Sequence, residues 1–275
     1  MRSTVTTGNS GLRLAATRGV RIEIDGINKV YGEGTGYAFE ALRPTTVDIR
    51  PGEFVSVVGP SGCGKSTLML IVAGLLRASQ GTVLVDDKPL SGPLIDVGIA
   101  FQDHLLLDFR TAEDNVLLPA VIRRLPLAPI RERTRELFER LGLTKATNRY
   151  PHELSGGMRQ RVSLARALVL QPSVLLMDEP FGALDALTRV QVRHDLEQLW
   201  MTEQPTVLFI THSVEEAVGL SDRVLVMAPS PGQVVEELRI DLPRPRPVAL
   251  GEKPALAAYS KRIYDHFARL GVIRR

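Results

Sequence analysis

Eight residues, Gly59-Pro60-Ser61-Gly62-Cys63-Gly64-Lys65-Ser66, restrict this chain most, because they fit G-x-x-x-x-G-K-[ST] at every fixed position and carry the right flanks. Before them, residues 53–58 (Glu-Phe-Val-Ser-Val-Val) form a short β-branched run; after them, residues 67–76 lack proline and read as a buried helix. A strand that enters a helix through a glycine loop turns several backbone N–H groups toward one point, which suits a phosphate. The predicted cradle is Gly59, Ser61, Gly62, Cys63, Gly64 and Thr67, with Lys65 reaching the β and γ oxygens and Ser66 offering its hydroxyl to Mg²⁺. The plain alternative is a glycine-rich turn between core elements, and it leaves the lysine, the hydroxyl and both flanks unexplained.

A second anion site is written further on. Leu154-Ser155-Gly156-Gly157-Met158 opens an apolar-periodic stretch (Val162, Leu164, Ala165, Ala167, Leu168), so Ser155 and the amides of Gly156 and Gly157 fall at a helix N-terminus. Next, the apolar run Val174-Leu-Leu-Met177 ends in Asp178-Glu179, and the C-terminal edge of a parallel sheet is where such folds hold ligands. Asp178 is predicted to hold Mg²⁺, through water, and Glu179 to polarise the attacking water as general base. Standing alone, the two acids before Pro180 would read as an exposed turn; behind a phosphate loop they read as catalytic.

Composition sets the remaining bounds. With 275 residues, 44% hydrophobic and 24% charged, the chain is long enough for one large or two small cores. Its apolar run at residues 68–73 is far below the roughly 18 residues of a membrane span, and no apolar signal core follows the first arginines, so a cytosolic chain is expected. One cysteine excludes an internal disulfide and a cysteine metal cluster. Both ends are basic: residues 1–21 hold four arginines and no acid, and residues 239–275 hold nine Lys/Arg against three Asp/Glu. Solubility explains this as well as contact with anionic lipid or an acidic partner does. Nucleic acid is not expected, because aromatics are only 5% of the chain and are not interleaved with the basic residues.

Along the chain, residues 1–20 read as a flexible leader and order is expected from Arg21. Strands are predicted at residues 21–25, 41–50, 53–58, 83–85, 97–101, 174–177, 207–210 and 224–227, the last closing the series. Residues 111–149 turn charged and helix-prone, with Pro119, Pro126 and Pro129 breaking the pattern into pieces. The continuous apolar runs at 174–177 and 207–210 predict central parallel strands covered on both faces. A proline-rich extension (residues 241–275) ends in Leu256, Tyr259, Ile263, Phe267 and Leu270 at helical spacing, a terminal amphipathic helix expected to pack on its own core.

The phosphate loop, then LSGGM, then Leu-Leu-Met-Asp-Glu-Pro-Phe-Gly-Ala-Leu-Asp185, then a strand ending in Thr211-His212 resembles the nucleotide-binding subunit of an ATP-binding cassette transporter over residues 21–240. The resemblance implies an α/β fold: a P-loop NTPase core with a mixed or parallel sheet flanked by helices, an antiparallel β subdomain, and a helical subdomain of about residues 103–165 between the glutamine loop and the signature. It implies that Gln102 touches metal and attacking water, that Asp185 crosses a dimer interface, that His212 contacts the γ-phosphate, and that Tyr31 stacks on adenine, with Tyr37 and Phe39 as alternatives. Met158 stands where many relatives have glutamine. ATP and Mg²⁺ are the implied cofactors. A second copy is the implied first partner, followed by permease subunits and, indirectly, a periplasmic or lipid-anchored solute-binding protein, with the chain peripheral on the cytoplasmic face of the inner membrane. The run from Met177 to Arg189 with Leu242-Pro-Arg-Pro-Arg-Pro247 is most similar to importers of nitrate, sulfonates and taurine. A soluble cassette ATPase and a small-molecule kinase are the rival classes; the kinase has no use for Ser155 to Gly157.

Overall fold

The computed structural model describes residues 19–34, 36–246 and 254–273. Most of the expected leader, and Pro247 of the proline-rich run, lie outside these residues. Gly19 and Val20 are already tied to the core: the Gly19 N–H donates to the Gln204 carbonyl at 3.0 Å and the Val20 carbonyl accepts from Thr206 Oγ1 at 2.5 Å.

Strands β1 (Ile22–Tyr31), β2 (Phe39–Ile49), β4 (Gln80–Val85) and β5 (Lys88–Pro89) make an antiparallel sheet in the order β2-β1-β4-β5. A six-stranded sheet is built from β3 (Phe54–Val58), β6 (Val97–Ala100), β7 (Val174–Asp178), β8 (Thr206–Thr211), β9 (Arg223–Ala228) and β10 (Gln233–Arg239), in the order β10-β9-β3-β8-β7-β6. Five of its strands are parallel and β10 is antiparallel to β9. Every residue of β3, β7 and β8 is buried, which is why their sequences are continuously apolar rather than alternating. Successive residues of β3 enter opposite layers: Phe54 packs on the helical side, while Val55 and Val57 pack beneath the antiparallel sheet. Phe54 meets Trp200 edge-on at 5.7 Å and Phe209 at 5.8 Å, and burying such a ring is worth about 1.5–3 kcal/mol before the aromatic pairing is counted.

The helices are α1 (Lys65–Val72), α2 (Ala112–Ile122), α3 (Leu127–Arg140), α4 (Gly156–Leu168), α5 (Ala186–Glu203), α6 (Val214–Leu220) and α7 (Pro254–Arg269). Between β6 and β7 come α2, α3 and α4, the helical insertion that the sequence predicts. Two expectations are corrected. Pro119 lies inside α2 without ending it, and Pro129 sits in the first turn of α3, where backbone N–H groups have no intrahelical acceptor and proline's lack of one costs nothing, so only Pro126 separates helices. The strand series does not close at residue 227, because β10 follows as an edge strand whose half-exposed, acid-bearing sequence hides the signal.

The basic C-terminal segment is an internal strut more than a free tail. Arg244 pairs with Glu197 and Asp222 and lies over the Trp200 ring at 4.1 Å. Arg246, 4% exposed, donates to the carbonyls of Val218, Ser221 and Ile240. As predicted, α7 packs on the protein itself: Leu256, Ile263 and Phe267 are buried with Val214, Ala217 and Val218 of α6.

Candidate active site

Parallel register brings the chemistry to one edge. Val58 lies beside Thr211, Asp178 beside Ile210, and Ala100 beside Met177, so the phosphate loop, Asp178-Glu179, His212 and Gln102 all leave the sheet at the carboxyl ends of neighbouring strands. There Tyr31, Phe39, Ala41, residues 61–67, Gln102, Glu179 and His212 line a cleft of about 660 Å³.

Within the loop, Gly64 takes φ +89° as N-cap of α1, and a Cβ there would stand 2.8 Å from the Ala41 carbonyl oxygen, so no other residue fits. Gly59, predicted as part of the cradle, is not among the cleft's lining residues; a Cβ there would meet Cys63 Sγ at 2.8 Å. The Lys65 ammonium donates to the carbonyls of Gly59 and Pro60, each at 2.9 Å. Cys63 turns its side chain into the core, fully buried, and burial pushes its thiol pKa up although Lys65 pulls the other way. Its contribution to the cleft is therefore backbone.

Behind the loop, Asp178 is 7% exposed and hydrogen bonds with Ser66; burial pushes its carboxyl pKa up, Ser66 opposes the shift, Glu179 adds to it and Lys65 opposes it. Glu179 follows in the left-handed region at φ +47°, a costly conformation for this residue, with its N–H on the Ile210 carbonyl and its own carbonyl accepting from Gly182. The kink turns the carboxylate out of the sheet, where Oε2 lies 3.0 Å from His212 Nδ1. That ring is 62% exposed, open to the cleft.

Tyr31 and Phe39 are cross-strand partners at the open end of the β1–β2 pair, and both face the cleft, whereas Tyr37 is 92% exposed and does not line it. The Tyr31 hydroxyl lies 3.4 Å from Thr67 Oγ1, and Lys29 Nζ sits 5.2 Å from the ring centroid.

Ser155, Gly156, Gly157 and Asp185 stand apart from this cleft. Ser155 N-caps α4 and accepts from the Met158 N–H at 3.3 Å; Asp185 N-caps α5 and accepts from the Thr188 N–H at 3.0 Å, and hydrogen bonding with the Thr188 side chain first, then with this N–H, holds its carboxyl below the usual range. The two caps are packed together, since a Cβ on Gly157 would come within 3.2 Å of Leu184 Cδ2. Beside Asp185, Leu187 is 84% exposed.

Some support around the site is absent from the sequence reading. Ala41 lines the cleft from β2 with no periodic signal to mark it. Glu216, buried and pushed up in pKa by that burial, accepts from Thr211 Oγ1 at 2.5 Å and faces Arg189 at 3.8 Å. The run Ser213-Val-Glu-Glu216 reads S-x-x-E, a capping pattern that marks the start of α6, and Ser213 does cap it.

A phosphate loop on a parallel strand, a histidine at the end of the neighbouring strand and a carboxylate pair on the strand beyond it define a P-loop nucleotide hydrolase. The profile of the ABC transporter family matches residues 42–182. A Brucella abortus protein named as ATP-binding is 47% identical over 226 residues, 82% of this chain and 87% of that one. The aliphatic sulfonates import ATP-binding protein of Albidiferax ferrireducens is 44% identical over 248 residues, 90% of this chain and 84% of its own length. Among solved structures, a dimeric bacterial ABC transporter cassette superposes with a TM-score of 0.73 at 31% identity, covering 80% of this chain and 99% of that one. The same cassette as a dimer in a post-hydrolysis state with ADP and Pi gives 0.72 at 30% identity, over 80% and 99%. The chain belongs to the ABC transporter family and is an ATP-binding cassette ATPase.

Proposed function

We propose that this chain is the ATP-hydrolysing subunit of a membrane importer for a small anion such as a sulfonate or nitrate, and that it works as a pair with each ATP held between two copies. One observation carries the pairing: the lining of the phosphate-loop cleft contains no residue of the Ser155–Gly157 cap of the same chain. Both surfaces suit phosphate, and a second copy supplies the missing half of each. Exposed Leu187 beside Asp185 suits that interface. The dimeric relative and the sulfonate import relative support the same reading. Among the described residues no helix is long and apolar enough to cross a membrane. In this reading permease chains supply the span, seated on the surface around Gln102 and residues 103–135 at the inner face of the membrane. Phe109, 75% exposed, and Ile122, 72% exposed, lie in that stretch.

Magnesium fits the residues present. Asp178 is a buried carboxylate whose pKa burial pushes up, Ser66 is bonded to it, and Gln102 lines the same cleft. Such hard oxygen donors, completed by ATP phosphates, are what Mg²⁺ prefers, and when bound the ion neutralises phosphate charge. Lys65 exchanges its two loop carbonyls for phosphate oxygens, and the loop amides wrap the β-phosphate. Glu179 accepts the proton of the attacking water as His212 steadies its carboxylate and donates to the γ-phosphate. Adenine lies against the platform formed by Tyr31 and Phe39. Hydrolysis removes the bridging γ-phosphate and lets the pair open, which moves the permease between its two states.

Replacing Glu179 with Gln tests the core of this reading. The variant retains nucleotide binding, loses about 10²-fold or more in turnover, and doubles its mass in solution with Mg-ATP. A monomer under saturating Mg-ATP contradicts the shared site.

A further inference from the structure

α7 reaches the catalytic edge through α6. Leu256, Ile263 and Phe267 bury one face of α7 against Val214, Ala217 and Val218, while Arg262 and His266 grip Glu236 of β10 and the Asp241 N–H donates to the Tyr259 hydroxyl at 3.3 Å. The helix is therefore held to the core along its length. At its centre the Tyr264 hydroxyl donates to Glu215 Oε1 at 2.8 Å. The other oxygen of that carboxylate accepts from Ser213 Oγ at 3.3 Å. Ser213 is bound on both sides, accepting from the Glu216 N–H at 3.2 Å and donating its own N–H to Thr211 Oγ1 at 3.0 Å. His212 is the residue between Thr211 and Ser213, and its ring touches Glu179. A continuous set of hydrogen bonds thus runs from a helix beyond the ATPase motifs to Ser213 and Thr211, the two residues that flank the histidine at the cleft.

We propose that α7 is a latch on this segment, with Tyr264 a positioning residue that fixes His212 for hydrolysis through Glu215 and Ser213. The argument rests on the reading of His212 given above. Three physical points favour it. His212 is mostly exposed, and nothing described but the Glu179 carboxylate bonds its ring, so its placement depends on the backbone that carries it. That backbone is fixed by Ser213, and Ser213 is fixed partly by a carboxylate on the first, solvent-facing turn of α6, whose two oxygens would otherwise turn to water. Tyr264 is well chosen as the donor: burial, then the Glu215 bond, pushes its phenol up to about 12, so the proton stays on the ring oxygen throughout the working range. In this arrangement the position of α7 sets hydrolysis without touching nucleotide.

The test uses the full chain carrying Tyr264→Phe, His212→Ala and both together, with steady-state hydrolysis, nucleotide affinity and melting temperature measured for each. The Tyr264→Phe variant keeps its melting temperature and its KM for ATP and loses about three- to tenfold in kcat, the size of one ordinary hydrogen bond. The His212→Ala variant loses more, and the double variant matches it, because the latch has no further path to the reaction. Unchanged kcat in Tyr264→Phe beside a defective His212→Ala overturns the latch and leaves the histidine reading standing. Losses that multiply in the double variant also overturn it, since they show that Tyr264 acts by another route. Unimpaired turnover in His212→Ala overturns the histidine reading and the latch with it. Glu215→Gln, which keeps acceptor oxygen on the side chain, restores most of the rate lost in Glu215→Ala if the hydrogen bonds are what matter, and an equal loss in both counts against the proposal.

Discussion

At the scale of single residues, the site keeps groups that a fold selected for stability alone would replace. Glu179 holds a left-handed backbone, and Asp178 is an acid buried where its charge is poorly compensated. A carboxyl group whose pKa is higher in the folded than in the unfolded chain favours the native state while protonated. That advantage is complete below the ordinary Asp value of about 3.9 and is lost as pH rises through the native value. At neutral pH the ionised Asp178 therefore costs stability. Asp178→Asn keeps the side chain's shape and an oxygen for Ser66 while removing the charge, so the variant should melt a few degrees higher at pH 7 and lose hydrolysis. The gain should shrink toward nothing as pH falls below the ordinary Asp value, where the wild-type residue is protonated in both the native and the unfolded chain. Calorimetric melts of both proteins across this range decide it, and an equal or lower melting temperature for the variant at neutral pH refutes the assignment of burial as the dominant effect.

At the scale of elements, helix starts carry two duties, and one substitution separates them. Ser155 caps α4, a contribution of about 1 kcal/mol, and is also proposed to bind the γ-phosphate of ATP held by another copy. Aspartate caps a helix as well as serine does but presents a negative charge to phosphate. Ser155→Asp is therefore expected to melt like the wild type, bind ATP normally in its own loop, and fail to pair when ATP is added; sedimentation with and without Mg-ATP reads the last point. Ser155→Ala should instead lose stability. What was legible from sequence follows the same division. The strands of the parallel sheet declared themselves through unbroken apolar runs, and the phosphate loop through glycines that only its geometry requires. Tyr31 and Phe39 were both candidates because stacking leaves no spacing signal, and it is cross-strand register that brings them to one face. Pro119 misled because a proline mid-pattern reads as a break, whereas packing of α2 on α4 sustains the helix through it. β10 carries no clear strand signal because an edge strand needs only its inward side chains to be apolar, and the run Glu236-Glu237 masks the alternation. Asp185 emerged as an α5 cap, a duty that the resemblance did not anticipate and that leaves its proposed place at the interface open to the same kind of test.

At the scale of the whole molecule, the separation of the loop cleft from the Ser155 cap has a consequence that no rearrangement within one chain reproduces. If each ATP is held by Lys65 of one copy and Ser155 of the other, a dimer has two sites, each drawing one half from each chain. Lys65→Ala ruins the loop half of every site in its own dimers, and Ser155→Asp ruins the cap half. In a mixed dimer the damage segregates: one site receives both defects and the other receives none. Two inactive variants should therefore recover hydrolysis on mixing, to about a quarter of the wild-type rate if chains pair at random and sites act independently. A chain carrying both substitutions gives the opposite result when mixed with wild type, since each site of the mixed dimer then has one damaged half and activity falls further than dilution explains. Sites complete within one chain predict neither outcome: the two single variants stay inactive together, and the double variant merely dilutes. Rates from the two mixtures, taken at equal total protein and saturating Mg-ATP, choose between the arrangements without requiring any partner from the membrane.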